Sequence, residues 1–115
     1  MRFRDKHHED RYVSILSRMR YVDCYHSCVA YLLALDTNIC DYEGRINRCF
    51  DFAEDVIRRN VLKEAWTTHT DKRILRLAFN LWGNQVEANV GDVFTCGSVD
   101  YAEYLFEAIR IRYEY

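Results

Sequence analysis

The feature that most constrains this chain is the unbroken apolar run Cys28–Leu35, which reads Cys-Val-Ala-Tyr-Leu-Leu-Ala-Leu and has no polar side. A segment that is apolar all round has to be covered on several faces, so it belongs at the centre of whatever core the chain builds. Lack of Gly and the Ala and Leu content favour a helix there over a buried strand. Asp23 is a good N-cap, and the spacing predicts a helix from Asp23 to Leu35. Its core face carries Tyr25, Cys28, Val29, Leu32 and Leu33, and Ala30, Tyr31, Ala34 and Leu35 fill the other side. The run falls far short of the roughly 20 residues that cross a bilayer. The start Met-Arg-Phe-Arg-Asp-Lys is charged where a signal peptide would be apolar. A cytoplasmic protein with no membrane partner is the expectation.

The rest of the chain supplies helices to cover that centre. Tyr12, Ile15, Leu16 and Met19 recur at helical spacing, with Val13 widening the stripe, and predict a helix from Asp5 to Met19. Between Thr37 and Phe52 the helical spacing of Ile39, Tyr42, Ile46, Cys49 and Phe50 persists through Gly44, and a further helix is expected. Residues 53–70 lack sustained periodicity and read as short helical turns within a loop. Thr70 or Asp71 caps a strong helix to Trp82, with Ile74, Leu75, Ala78, Leu81 and Trp82 on one face and Gly83 as the stop. Residues 84–97 read as a connection with one helical turn at Asp92–Thr95. The last helix starts at Ser98 or Asp100, with Asp100 and Glu103 as a capping box, and buries Ala102, Leu105, Phe106, Ile109 and Tyr113. A chain of 115 residues fits one core, and with no proline anywhere the expected fold is all-α. Residues 1–115 form a compact single-domain bundle of about five to six helices.

Five cysteines, Cys24, Cys28, Cys40, Cys49 and Cys96, are an odd number in a chain without an export signal and read as reduced core thiols. Cys24 and Cys28 share a helical face, but His26 lies about 200° away from Cys24 at ~100° per residue, and no paired C-x2-C spacing exists to hold zinc. His7, His8, Glu9 and Asp10 are of the types used in metal-dependent hydrolysis, yet His69, Asp51, Glu54 and Asp55 complete no spaced motif. The plain reading is an exposed polar face. No Gly-x-Ser-x-Gly turn and no Gly-rich phosphate loop occur. The expectation is a protein that is not an enzyme, with no catalytic residue, no metal and no cofactor.

Net charge is -2, which gives no global reason to bind nucleic acid, but the charges come in blocks. Residues 58–82 hold six basic and two acidic groups, and residues 83–107 hold no basic and five acidic ones. Arg58, Arg59, Lys63, Lys72, Arg73 and Arg76 form the candidate basic surface, able to track phosphates if the fold brings them together. Tyr101, Tyr104, Arg110 and Arg112 near the C-terminus are the Tyr and Arg mixture enriched at protein interfaces. Partner binding is therefore assigned to Arg58, Arg59, Lys72, Arg73, Arg76, Tyr101, Tyr104, Arg110 and Arg112.

Phe50-Asp51-Phe52 with Glu54-Asp55, then Trp66-Thr67, Arg76-Leu77-Ala78-Phe79-Asn80-Leu81-Trp82, and Leu105-Phe106-Glu107-Ala108-Ile109 with Arg112-Tyr113 run through nearly the whole chain. Through them it resembles a family of small uncharacterised proteins of Firmicutes, their phages and plasmids, with the Arg-Leu-Ala-Phe-Asn-Leu-Trp stretch the most specific part. It departs where related chains carry Pro or Gly after the Glu-Asp pair and a Pro close to the C-terminus. The resemblance implies no catalytic residues. By association with mobile elements, it implies a non-enzymatic interaction protein in a bacterial host, an anti-CRISPR inhibitor that binds a CRISPR effector such as a Cas9-type nuclease. The alternative is a nucleic-acid-binding accessory protein using the Arg58–Arg76 basic block.

Overall fold

The computed structural model describes residues 1–83, 86–94 and 101–113. Along the chain these form α1 (Lys6–Ser17), α2 (Cys24–Leu35), α3 (Thr37–Cys40), α4 (Arg45–Cys49), β1 (Phe50–Asp51), β2 (Val56–Ile57), a 3-10 turn (Arg59–Lys63), α5 (His69–Gly83), α6 (Val90–Val93) and α7 (Ala102–Tyr113). The architecture is mostly helical, with four main helices and one two-stranded hairpin. No helix among the described residues is long and apolar enough to cross a membrane.

Every residue from Cys28 to Leu35 is 0% exposed, because α1, α5 and α7 pack around α2 on different sides. Burial of each large apolar side chain contributes ~1.5–3 kcal/mol against chain entropy, so this one helix organises the core. The Asp23 carboxylate caps it by accepting the His26 N–H at 2.8 Å. Tyr25 lies outside the expected core face: it is exposed, and the Arg112 guanidinium stacks 3.9 Å above its ring. Val13 of α1 likewise points to solvent while Ile15 and Met19 are buried. Arg11 Nε donates to Ala34 O at 2.8 Å and ties α1 to the end of α2.

The helix expected over 37–52 is broken into α3 and α4. Gly44 sits at φ 85 between them, a left-handed conformation that glycine adopts without a side-chain clash. After α4 the backbone turns extended at Phe50, and Phe50 and Asp51 pair antiparallel with Ile57 and Val56. The first strand falls at the end of the expected helix and the second where loop and helical turns are expected. The turn between them is held locally: Asp51 Oδ1 accepts the N–H groups of Ala53 and Glu54, both at 3.0 Å, which diverts them from a helical ladder. The 3-10 turn that follows agrees with the expected short helical turns.

Helix α5 starts two residues or more earlier than expected because Thr68 and Asp71 cap each other reciprocally. Thr68 N–H donates to Asp71 Oδ2 at 2.8 Å, and Asp71 N–H donates to Thr68 Oγ1 at 3.1 Å. The expected turn at Asp92–Thr95 appears as α6, capped by Asn89, whose Oδ1 accepts from Gly91 N–H. Ser98, Asp100 and Cys96 lie outside the described residues. In α7, Leu105 is buried as expected and Ala108 joins it, but Phe106 is 60% exposed and Glu107 takes an inward position. The Glu107 carboxylate accepts the Arg2 N–H at 2.8 Å and pairs with Arg110, so its burial is compensated. Tyr113, also expected in the core, is exposed.

Candidate functional site

Three hollows adjoin one another, two on the outer side of α5 and one at the 3-10 turn. The central one, about 560 Å³, lies between the 3-10 turn, α5 and residues 86–93, and Arg59, Lys63, Arg73 and Arg76 supply its cations. Leu62, Val86 and Val93 give it an apolar floor. Arg59 is shared with a second hollow of about 330 Å³ that includes Arg58. Arg73, Arg76 and Asp92 are shared with a third of about 490 Å³, completed by His69 and Lys72. The groove forms because Lys72, Arg73 and Arg76 occupy the outer face of a helix whose Ile74, Leu75, Ala78 and Phe79 point to α2. Asn80 Nδ2 donates to Val86 O at 2.9 Å and fixes the chain that forms the far wall.

Some of the molecule's cations are ion-paired and others are not. Arg2, Arg48, Arg58 and Arg110 are ion-paired with Glu103, Glu64, Asp51 and Glu107. Among the described residues, Lys63, Lys72 and Arg76 have no ion-paired carboxylate. Glu87 and Asp92 are the carboxylates on the walls of the central hollow, and Glu64, paired with Arg48, lines the second. Cations that outnumber the carboxylates on a concave surface focus a positive potential there.

Of the residues assigned to partner binding, the structure brings Arg59, Lys72, Arg73 and Arg76 together, with Arg58 alongside but paired to Asp51 at 3.1 Å. Tyr101, Tyr104, Arg110 and Arg112 are not part of this groove. Tyr104 is buried, the Arg4 guanidinium stands over the Tyr101 ring, Arg110 pairs with Glu107, and Arg112 donates to Leu81 O at 2.7 Å. These four serve the packing of α7 and the N-terminal segment.

Beneath the N-terminal turn of α5 lies a group that the sequence did not announce. Asp36 and Asp71 are 3% and 1% exposed and lie close enough for their carboxyl groups to interact, and Asp36 Oδ2 has no other hydrogen-bond partner. Burial, then the neighbouring Asp71, pushes the Asp36 carboxyl up to about 8. Asp71 is held below its ordinary value despite burial, by hydrogen bonds from Asp36, Thr68 and Asn38. A proton shared by the two at neutral pH is what these opposite shifts imply, and it would give Asp36 Oδ2 the partner it otherwise lacks. Each side chain also caps a helix, which is the one local signal of their placement: Asp36 accepts from Ile39 N–H in α3 and Asp71 from Thr68 N–H in α5.

The histidines differ in their surroundings. His7 is exposed, but His8, expected on a polar surface, is 0% exposed. Its Nδ1 accepts the Arg4 N–H at 3.0 Å and its Nε2–H donates to Tyr31 O at 3.0 Å, so both ring nitrogens are used. Burial, partly offset by the Tyr31 carbonyl, lowers its pKa from 6.5. The His26 ring is also buried, with Nδ1 2.7 Å from Asp23 Oδ1, Nε2 2.8 Å from Asp55 Oδ1, and Trp82 edge-on at 4.8 Å. It pins the turn after β1 to the start of α2, with Asp55 at φ 60. Among the described residues no group of three or more His, Cys, Asp and Glu side chains is placed to hold a metal ion. The Cys28 and Cys40 thiols donate to Tyr25 O and Leu33 O, and burial pushes both up to about 12, as suits core thiols.

Comparison with known proteins gives one match: the model of a family described as a family of unknown function, DUF6075, fits residues 1–115. No curated protein and no solved structure matches the chain.

Proposed function

We propose for this chain, which belongs to the family of unknown function DUF6075, that it is a non-enzymatic binding protein whose groove along α5 holds the phosphate backbone of a single-stranded nucleic acid. The observation that carries this reading is the convergence of Arg59, Lys63, Lys72, Arg73 and Arg76 on one concave surface of a molecule with net charge -2. A run of adjoining hollows suits a linear polyanion better than a single small anion. A duplex, stiff over about 150 base pairs, cannot bend into hollows of this size, whereas a single strand can. The described walls present aliphatic side chains rather than aromatic rings, so contact with phosphates dominates and sequence preference is weak.

The test is fluorescence anisotropy of a labelled oligothymidylate over a range of NaCl concentrations. Each phosphate contact adds about -0.7 to the slope of log K against log salt for a single strand, so Arg59→Ala and Arg76→Ala each lower its magnitude by about that amount. No binding at low salt refutes the reading.

A second reading, the inhibitor of a Cas9-type nuclease that the family resemblance implies, is favoured by a different feature. Phe94 and Phe106 stack at 4.5 Å, and Phe106 remains largely exposed, the kind of aromatic anchor that protein interfaces use. Retention on an immobilised Cas9-type nuclease that Phe106→Ala abolishes would support it; passage through the column unretained would reject it for that nuclease.

A further inference from the structure

We propose that the hollow walled by His69, Lys72, Arg73 and Arg76 is the seat of a terminal phosphate monoester, so that the groove holds a strand by its phosphorylated end. This rests on the groove reading above and adds to it a polarity and an anchor. The hollow shares Arg73, Arg76 and Asp92 with the central one and no residue with the hollow at Arg58, which puts it at one end of the run. Four of its five lining side chains are basic, with Asp92 the single carboxylate.

An internal phosphodiester carries one negative charge, whereas a terminal monoester carries about -1.5 to -2 at neutral pH and offers three acceptor oxygens. Three permanent cations and an imidazole around one space match the monoester and exceed what a diester balances. Arg73 and Arg76 present planar guanidinium forks suited to phosphate oxygens, and Lys72 adds a mobile point charge. Helix dipole and backbone N–H groups contribute little, because the first turn of α5 is already capped by Asp71 and Thr68; recognition depends on side chains. The adjoining central hollow, floored by Leu62, Val86 and Val93, then receives the first sugar and base.

The experiment compares oligothymidylates carrying fluorescein at one end and a 5′-phosphate, a 3′-phosphate or a hydroxyl at the other. Anisotropy titration of the intact protein is expected to show about tenfold tighter binding of one phosphorylated end than of the hydroxyl end, the ratio expected of one or two charge-assisted hydrogen bonds. Whichever of the two phosphates is preferred identifies the source. Lys72→Gln is expected to erase the preference and to weaken the hydroxyl-ended strand only by the one cation lost from the groove, and Asp92→Asn to increase the preference. Circular dichroism establishes that both variants are folded. Equal affinity for phosphate and hydroxyl ends, or a preference that survives Lys72→Gln, overturns the proposal and leaves the groove reading standing. Failure of every oligothymidylate to bind at low salt overturns both.

Discussion

Replacing Asp36 by asparagine tests the buried carboxylate pair, and its effect can be worked from the structure. Unfolded, the Asp36 carboxyl titrates near 3.8; folded, it is pushed up to about 8 by burial and by Asp71. Between those values the folded chain binds one more proton than the unfolded chain, so this group's contribution to stability is fully present below about pH 4 and is lost as pH rises through about 8. At pH 7 the interval is about three pH units, each worth ~1.4 kcal/mol, which sets a ceiling of about 4 kcal/mol on the cost of taking up the proton. A neutral amide carries no such cost. Its oxygen can accept the Ile39 N–H that Asp36 accepts, and its N–H can donate to the Asp71 carboxylate in place of the shared proton. Asp36→Asn is therefore expected to stabilise the protein by about 2–4 kcal/mol at pH 7, a large effect on a domain whose whole stability is of order 5–15 kcal/mol. Urea unfolding followed by tryptophan fluorescence at several pH values measures it. The two curves should converge near the unfolded carboxylate pKa and separate as pH rises, and the difference between them removes every other titrating group. A variant less stable than the parent at pH 7, or a difference that does not grow with pH, would refute the shared proton.

His8 acts in the opposite sense. Its pKa is lowered from 6.5 by burial, so its contribution is present above the ordinary histidine range and is lost as pH falls through the folded value; protonation also takes the acceptor from the Arg4 N–H. Hydrogen exchange at that amide is expected to lose protection on acidification, relative to the Gly91 amide, whose acceptor is the Asn89 side chain, and unchanged relative protection would contradict the assignment. Gly44→Ala has space for the new methyl, with nothing within 4 Å, so its cost comes from φ 85 alone. A loss of about 1 kcal/mol in thermal or urea unfolding is expected, and a neutral or stabilising result would show that the turn adopts another conformation.

The helical framework was legible because its signals are local. The all-apolar run Cys28–Leu35, the cap at Asp23 and the stripe Ile74, Leu75, Ala78 and Leu81 each lie within a few turns of chain, and helical periodicity needs no other information. Where local signals compete, the sequence misled. Spacing carried a helix through Gly44, whose left-handed backbone ends it, and through Phe50, where the Asp51 side chain diverts the backbone into a hairpin. Phe106 and Glu107 are adjacent on α7, and composition alone would bury the ring and expose the carboxylate. The structure reverses them, because Arg2, 105 residues away in the chain, supplies the N–H that satisfies Glu107.

The candidate site divides in the same way. The basic block at 58–82 was visible as charge, and the sequence by itself put these cations in a loop with short helical turns and on the polar side of one helix. Only the tertiary structure decided that the turn, the helix and residues 86–93 close around a common groove, that Tyr104, Arg110 and Arg112 stand apart from it, and that Asp36 and Asp71 meet beneath it. Periodicity records which way a side chain points along its own element. Whether two such side chains face each other, and whether water is excluded from between them, depends on contacts between segments far apart in the chain.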